Sequence, residues 1–428
     1  MLVPTHSHLR ALLFCLVLVP GSVLAETDPP GTEPDPFQTW LAEFRREAAS
    51  RGLSEATLNR ALDGLQPIPK LLEYDRRQPE FLETFRDYLA KRVNDGRLAH
   101  GLAQFETHGA LLREVEQRFG VPAQVLVAFW GLETNYGSYL GNTPLFAGLA
   151  TLAQDTRRPA FFRQQLLDAL RLVERDRVAP TDLVGSWAGA LGQMQFIPST
   201  WLAHAVDGDG DGRIDLIGSL ADALHSAANY LRQAGWRPGE PWGLEVRLPE
   251  GLDLTDTGLE WQKPLSTWSL LGLARPDGAP LPAGFQPASL ILPQGIEGPA
   301  FLVMSNFRVI MQWNRSVHYA LSVGHLADRL AGAPALEWRT EDAPAPLSRT
   351  QMEYLQKGLS MLGYDAGPAD GIPGTRTRGA IRAYQARIGL PADGYPSLPL
   401  IEHLQNTLLE QALPLPEGGL GTDPEASG

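Results

Sequence analysis

From Phe37 onward the apolar positions fall at helical spacing, with Trp40, Leu41, Phe44 and Ala48 on one face. Ser54 ahead of Glu55-Ala-Thr-Leu reads as an N-cap that opens a second helix. The pattern continues through 81–89 and from Leu111 to Phe119, where Gly120 stops it. Pro122 suits the first turn of the next helix, expected from Val121 to Glu133. Between Trp236 and Ser305 the period changes. That stretch is rich in Pro and Gly, and Leu244-Glu-Val-Arg-Leu, Ala288-Ser-Leu-Ile-Leu and Phe301-Leu-Val-Met read as short strands between turns. Helix returns from His318 to Leu330. Near the C-terminus, Leu355, Leu359 and Leu362 line one helix and Ile381, Tyr384 and Ile388 another, joined by Asp-Gly turns into a three-helix unit.

The ends differ from this body. Arg10 precedes an apolar run from Ala11 to Pro20, and small residues lead to Val23-Leu24-Ala25, the layout of a secretory signal over 1–25. The run is too short to span a bilayer, and no comparable stretch follows, so no transmembrane segment is expected. Residues 26–36 read as a disordered leader and 333–346 as a Pro-rich acidic linker. The main region is 37–332 with its β-rich insertion at 236–305, the small unit is 347–407, and 408–428 reads as a tail.

Composition then narrows the classes. The chain of 428 residues carries 36 Lys+Arg against 49 Asp+Glu, a net charge of −13, which disfavours holding a nucleic-acid backbone. Its one cysteine, Cys15, lies in the export signal, so disulfides, zinc ribbons and CxxC redox sites are all excluded. Neither a redox nor a nucleotide cofactor motif is visible.

Three segments carry chemistry. Val121 to Leu132 is almost wholly apolar, and Glu133 is its first ionisable group, at the expected helix end. Apolar surroundings and the negative end of the helix dipole both favour a protonated carboxyl there, which suits a general acid. The second segment, Gly185-Ser-Trp-Ala-Gly-Ala-Leu-Gly-Gln-Met-Gln-Phe-Ile-Pro-Ser-Thr-Trp201, combines small residues with neutral amides and flat aromatic faces, useful against sugar rings. The third, Asp207-Gly-Asp-Gly-Asp-Gly-Arg-Ile-Asp215, fits the first half of an EF-hand loop. Asp207, Asp209 and Asp211 take positions 1, 3 and 5, the Arg213 carbonyl position 7 and Asp215 position 9. Position 12 is Gly218 rather than Glu. The pattern points to a structural Ca2+.

Glu133-Thr-Asn-Tyr-Gly, Gly185 to Ser199, Gln78-Pro-Glu-Phe and Asp222-Ala-Leu-His-Ser-Ala-Ala-Asn-Tyr-Leu together resemble the membrane-bound lytic murein transglycosylase B family. The resemblance covers roughly 37–330. It implies a mainly α fold, a lysozyme-like helical catalytic core with a small β-rich insertion, and cleavage of peptidoglycan glycan strands in the periplasm of a Gram-negative bacterium. By position it makes Glu133 the acid/base, places Ser186, Gln195 and Tyr230 in the substrate cleft, and puts Arg157 and Arg158 where they meet substrate carboxylates. Trp313-Asn314 matches an aromatic–Asn pair at the sugar. That aromatic is often Tyr, so a stacking face is kept and a phenol hydroxyl lost. The resemblance also extends the metal loop, with Asp222 as its last carboxylate. Residues 347–407 look like the peptidoglycan-binding domain of cell-wall enzymes, whose Arg376, Arg378, Arg382 and Arg387 suit peptide-stem carboxylates. The alternatives are a muramidase that releases a reducing sugar with water and a noncatalytic wall-binding scaffold.

Overall fold

The computed structural model describes residues 35–76, 83–338 and 346–416. The export signal with Cys15, the leader before Asp35, Gln78-Pro-Glu-Phe, the middle of the linker and the last part of the tail lie outside the described residues.

The fold is mainly α-helical. Among the described residues the N-terminal region holds α1 (Pro36–Ser50), α2 (Glu55–Leu62), α3 (Lys70–Arg76) and α4 (Phe85–Arg92). The body continues with α5 (Asp95–Phe119), α6 (Ala123–Thr134), α7 (Leu145–Gln154), α8 (Pro159–Arg175), α9 (Pro198–His204) and α10 (Leu220–Gln233). After the insertion, which contains α11 (Leu265–Leu270), come α12 (Ser305–Trp313) and α13 (Val317–Leu330). The C-terminal unit is α14 (Arg349–Met361), α15 (Thr375–Arg387) and α16 (Leu398–Glu410).

Local signals set these boundaries. The Ser54 hydroxyl caps α2 by accepting the Thr57 N–H. Ser348 and Gln351 form a reciprocal capping box on α14. Gly120 ends α5 in the left-handed conformation, φ 71°. Helix α5 begins well before the expected Leu111 because the sequence between is amphipathic but interrupted, and the chain kinks at His108. Helix α6 starts two residues later than expected, with Pro122 as its N-cap, because that residue keeps an extended ψ of 139°. Helix α12 was not legible as helix beside the strand that precedes it.

Among the described residues six short strands complete the fold. β1 (Thr143–Pro144) pairs antiparallel with β2 (Val184–Gly185) inside the helical body. β3 (Gly243–Val246), β4 (Lys263–Pro264), β5 (Pro287–Ile291) and β6 (Ala300–Val303) form the insertion's antiparallel sheet in the order β3-β6-β5-β4. The runs read as strands at 244–248, 288–292 and 301–304 fall on β3, β5 and β6.

Three apolar cores follow. The largest runs from Phe37 to Leu330 and is centred on α6, where Leu126, Val127 and Phe129 are fully buried. Each such side chain contributes roughly 1.5–3 kcal/mol of burial free energy. The second core fills the insertion and includes Ala392 of the C-terminal unit, and the third joins α14, α15 and α16. Helix α6, buried along most of its length, carries Glu133 in its last turn.

Candidate active site

Helix α6 carries Glu133 in its last turn, and the chain then reverses through two consecutive left-handed residues, Asn135 (φ 49°) and Tyr136 (φ 59°). Non-glycine residues occupy this region only when surrounding contacts hold them there. The Asn135 N–H donates to the Gly131 carbonyl (3.1 Å), and the buried Tyr136 hydroxyl donates to the Arg97 carbonyl (2.9 Å). Burial pushes the Tyr136 phenol up to about 12. Thr134 ties the turn to the second segment, its hydroxyl donating to the Gln193 carbonyl at 2.8 Å. The helix end is thereby fixed from both sides.

The half-buried Glu133 carboxylate is met by two neutral donors on the same oxygen. Trp313 Nε1 donates to Oε1 at 3.0 Å, and the Tyr319 hydroxyl donates to Oε1 in a short contact. Tyr319 was not singled out from the sequence. It lies inside an ordinary helical pattern, and only its contact with Glu133 from the first turn of α13 shows its use. The phenol hydroxyl expected to be lost at Trp313 is replaced by an indole N–H that binds the carboxylate. The indole is also packed edge-on against Phe196 (5.2 Å) and Tyr230 (5.1 Å) and tilted on Phe129 (4.6 Å). Trp313 is therefore a wall of the site that orients Glu133 as well as a flat face.

Asn314 acts next to it. Its Oδ1 accepts the Ser316 N–H at 3.0 Å, and the Ser316 hydroxyl in turn caps α13 by accepting the Tyr319 N–H at 3.2 Å. The aromatic–Asn pair thus sets the start of the helix that carries the second donor to Glu133.

Up to Ile197 the glycine-rich segment is not helical. It runs as tight turns, with Gly189 (φ 87°), Gly192 (φ 71°) and Gln195 (φ 49°) in the left-handed region. Ser186 closes one turn, its N–H donating to the Ala190 carbonyl (2.8 Å) and its hydroxyl accepting the Ala190 N–H (3.0 Å). Gln193 is engaged within the protein, accepting from Trp130 Nε1 (2.9 Å) and donating to the Ile217 carbonyl (3.3 Å). Gln195 donates to the Gly192 (3.1 Å) and Leu140 (3.3 Å) carbonyls. Tyr230 is half-buried against Phe196 and Trp313, and burial pushes its phenol up. The structure therefore brings Glu133, Trp313, Tyr319 and Tyr230 together.

Arg157 and Arg158 both pair with the buried Asp75 of α3. Burial would raise the Asp75 carboxyl, but the two guanidiniums hold it below the usual carboxylate range. Their charge is thus answered inside the protein, which the sequence did not show.

The acidic loop folds as its spacing implied for the first three positions. One carboxylate oxygen from each of Asp207, Asp209 and Asp211 falls within 4.8 Å of the others. Asp207 accepts the N–H groups of Gly210 (2.7 Å) and Gly212 (2.8 Å), and Asp211 accepts that of Arg213 (2.8 Å). Asp215 and Asp222 accept backbone N–H groups of the same loop. Asp215 accepts from Ile217 (3.0 Å) and Gly218 (2.8 Å), and Asp222 from Gly208 (2.7 Å) and Asp215 (2.7 Å). Burial pushes the Asp222 carboxyl up against those two donors. Three converging carboxylates with hard oxygen donors fit a Ca2+ ion.

The loop's far end touches the cleft. The Leu216 carbonyl accepts the Gln193 N–H at 2.9 Å, and a Cβ on Gly192 would lie 2.2 Å from that same carbonyl. The loop and the turn that meets Thr134 of α6 are thus in direct contact.

Comparison with known proteins agrees with this arrangement. A family model described as Transglycosylase SLT domain matches residues 36–328, and a peptidoglycan binding domain model matches 348–404. The chain is similar to membrane-bound lytic murein transglycosylase B of Escherichia coli K12, at 30% identity over 257 residues, 57% of this chain and 66% of that protein. It thus spans slightly under two thirds of that relative's length. It is also similar to SltB3 of Pseudomonas aeruginosa, solved with NAG-anhNAM-pentapeptide, at 47% identity and a TM-score of 0.82 over 86% of this chain and 99% of that one. Slt35 of Escherichia coli, solved with calcium, is 28% identical with a TM-score of 0.60, covering 68% and 92% of the two chains. The SLT match extends from the first helix through α13 and so contains Glu133 and both of its donors: the chain belongs to the SLT transglycosylase family.

Proposed function

We propose that the protein is a lytic transglycosylase that cleaves the MurNAc-β-1,4-GlcNAc bond of peptidoglycan and leaves a 1,6-anhydro-MurNAc end. The observation that carries this is the setting of Glu133. Hydrolytic glycosidases divide the work between two carboxylates. Here the Glu133 carboxylate accepts from an indole N–H and a phenol, which orient it as a single working group. In the proposed reaction this one carboxyl group acts twice, first as acid and then as base. With Oε1 accepting from Trp313 and Tyr319, the acid proton is carried on Oε2. That proton goes to the glycosidic oxygen as the C1–O4 bond breaks. The resulting carboxylate takes the proton of the MurNAc C6 hydroxyl as O6 bonds to C1. The proton count on Glu133 is restored and no water is consumed. Tyr230 and Trp313 give the aromatic surface, and Gln195 and Asn314 the neutral amides, beside the reacting sugar.

The substrate assignment is supported by the complexes of SltB3 with NAG-NAM-pentapeptide and NAG-anhNAM-pentapeptide, since that chain is matched over 99% of its length. The C-terminal module would raise the local concentration of glycan at the cleft. Calcium at Asp207, Asp209 and Asp211 would neutralise their mutual repulsion and hold the loop that backs Gln193, a role supported by the calcium complex of Slt35. Export to the periplasm is supported by the signal pattern of residues 1–25, and none of the described helices is long and apolar enough to cross a membrane.

Digestion of purified sacculi tests the reading. The expected products are muropeptides one water lighter than their hydrolysed counterparts by mass spectrometry, and Glu133→Gln should lose cleavage. Reducing-end products would establish a muramidase instead.

A further inference from the structure

Trp313 and Tyr319 hold the Glu133 carboxylate, but the backbone that carries it is held by a different residue, Gln193. Glu133 lies between Trp130 and Thr134 in the last turn of α6, and Gln193 takes a hydrogen bond from each of these two. Its side-chain Oε1 accepts from Trp130 Nε1 at 2.9 Å, and its carbonyl accepts from the Thr134 hydroxyl at 2.8 Å. The same hydroxyl accepts the Gly137 N–H at 3.0 Å, so the turn that follows the acid belongs to this clamp. A Cβ on Gly137 would run into Gln193 Oε1. Trp130 and Thr134 are both buried, where a lost acceptor is not replaced by bulk water.

The nitrogens of Gln193 turn to the acidic loop. Its N–H donates to the Leu216 carbonyl at 2.9 Å, and its Nε2 donates to the Ile217 carbonyl at 3.3 Å. Asp215 closes the turn that presents those two carbonyls, its Oδ1 accepting the N–H groups of Ile217 (3.0 Å) and Gly218 (2.8 Å). Gln193 is thus bonded to α6 through both of its oxygens and to the loop through both of its nitrogens. A side-chain amide is a planar unit whose donor and acceptor keep a fixed angle. A shift of the Ile217 carbonyl therefore turns Oε1, and with it the contact to the Trp130 indole.

We propose that Gln193 is a positioning residue that relays the state of the acidic loop to Glu133. Its consequence for catalysis rests on the reading of Glu133 as the acid/base given above, whereas the relay itself does not. A displacement of the last turn of α6 moves the carboxylate against Trp313 and Tyr319, whose bonds to Oε1 come from α12 and α13. A misplacement of about 1 Å at a reacting group costs on the order of a hundredfold in rate. The polar groups of Gln193 are engaged inside the protein. Loosening the loop therefore acts on turnover rather than on the binding of glycan.

A double-mutant cycle on the full chain, run in chelator so that no bound ion contributes, tests the relay. Gln193→Met keeps the length of the side chain and removes its amide, and Asp215→Ala opens the turn under the Leu216 and Ile217 carbonyls. Gln193→Met should lower kcat on sacculi about tenfold and change KM by less than about threefold. Asp215→Ala should lower kcat at least about fivefold beside Gln193 and less than about twofold in Gln193→Met. Asp215→Asn, which keeps an acceptor, should spare kcat. The indole N–H resonance of Trp130, assigned by its loss in Trp130→Phe, reads the same coupling without turnover. Asp215→Ala should shift it beside Gln193 and leave it unmoved in Gln193→Met. Additive losses of kcat, a loss carried by KM, or a resonance that Asp215→Ala does not move would overturn the relay. The last of these decides even if Gln193→Met fails to fold, and it stands apart from a failure of the sacculus digestion.

Discussion

Trp313 donates its indole N–H to Glu133 Oε1 at 3.0 Å, joining residues 180 positions apart in the sequence. Tyr319 binds the same oxygen from the following helix. Both donors thus act on one oxygen of the carboxyl group.

Removing either donor should cost catalysis more than binding. A hydrogen bond to a charged group contributes about 1.5–3 kcal/mol, so Tyr319→Phe and Trp313→Phe should each lower kcat on sacculi roughly ten- to a hundredfold with a small change in KM. Circular dichroism should stay the same. A variant with full kcat would remove that residue from the positioning of Glu133.

Calcium should stabilise the chain. At a concentration of about 100 Kd, the ion adds roughly 2.7 kcal/mol to the folded state. The melting temperature should rise with Ca2+ and fall with chelator. Asp207→Ala should abolish the response, because both oxygens of Asp207 also hold the loop backbone. An identical melting temperature with the ion and with chelator would discard the metal.

Gly192 links the loop to the cleft. Its φ of 71° suits glycine, and an added Cβ would meet the Leu216 carbonyl at 2.2 Å. Gly192→Ala should lower stability by about 1–3 kcal/mol, read by urea unfolding, and weaken the calcium response along with activity. A neutral substitution would show that the turn and the loop are not coupled.

Glu245 on β3 predicts a pH slope. Burial, and then the charge of Glu337, push its carboxyl from 4.5 up to about 7. The folded state therefore binds the proton more tightly than the unfolded state. Stability that is fully present below pH 4.5 is lost as the pH rises through about 7. Glu245→Gln should raise the melting temperature by roughly 1–3 °C at pH 8, allowing for partial exposure of the group, and by nothing near pH 4. A gain of the same size at both pH values would assign the effect to packing rather than charge.

Much of this was written in local sequence. The apolar run before Glu133 dictates a buried α6, because nearly every face of that helix needs apolar neighbours. The Asp-Gly repeat dictates a loop in which Asp207, Asp209 and Asp211 converge, since alternate residues of a tight turn face inward. Heptad-like leucines and Asp-Gly turns dictate the three helices of the C-terminal module. Chain contacts over long separations were decided only by packing. Tyr319 and Trp313 reach Glu133 because α12 and α13 lie against α6. Arg157 and Arg158 meet Asp75 for the same kind of reason. A local pattern fixes which face of an element is apolar, whereas side-chain partners across the core depend on how those faces dock. That is why the acid was legible in the sequence and the residues that hold it were not.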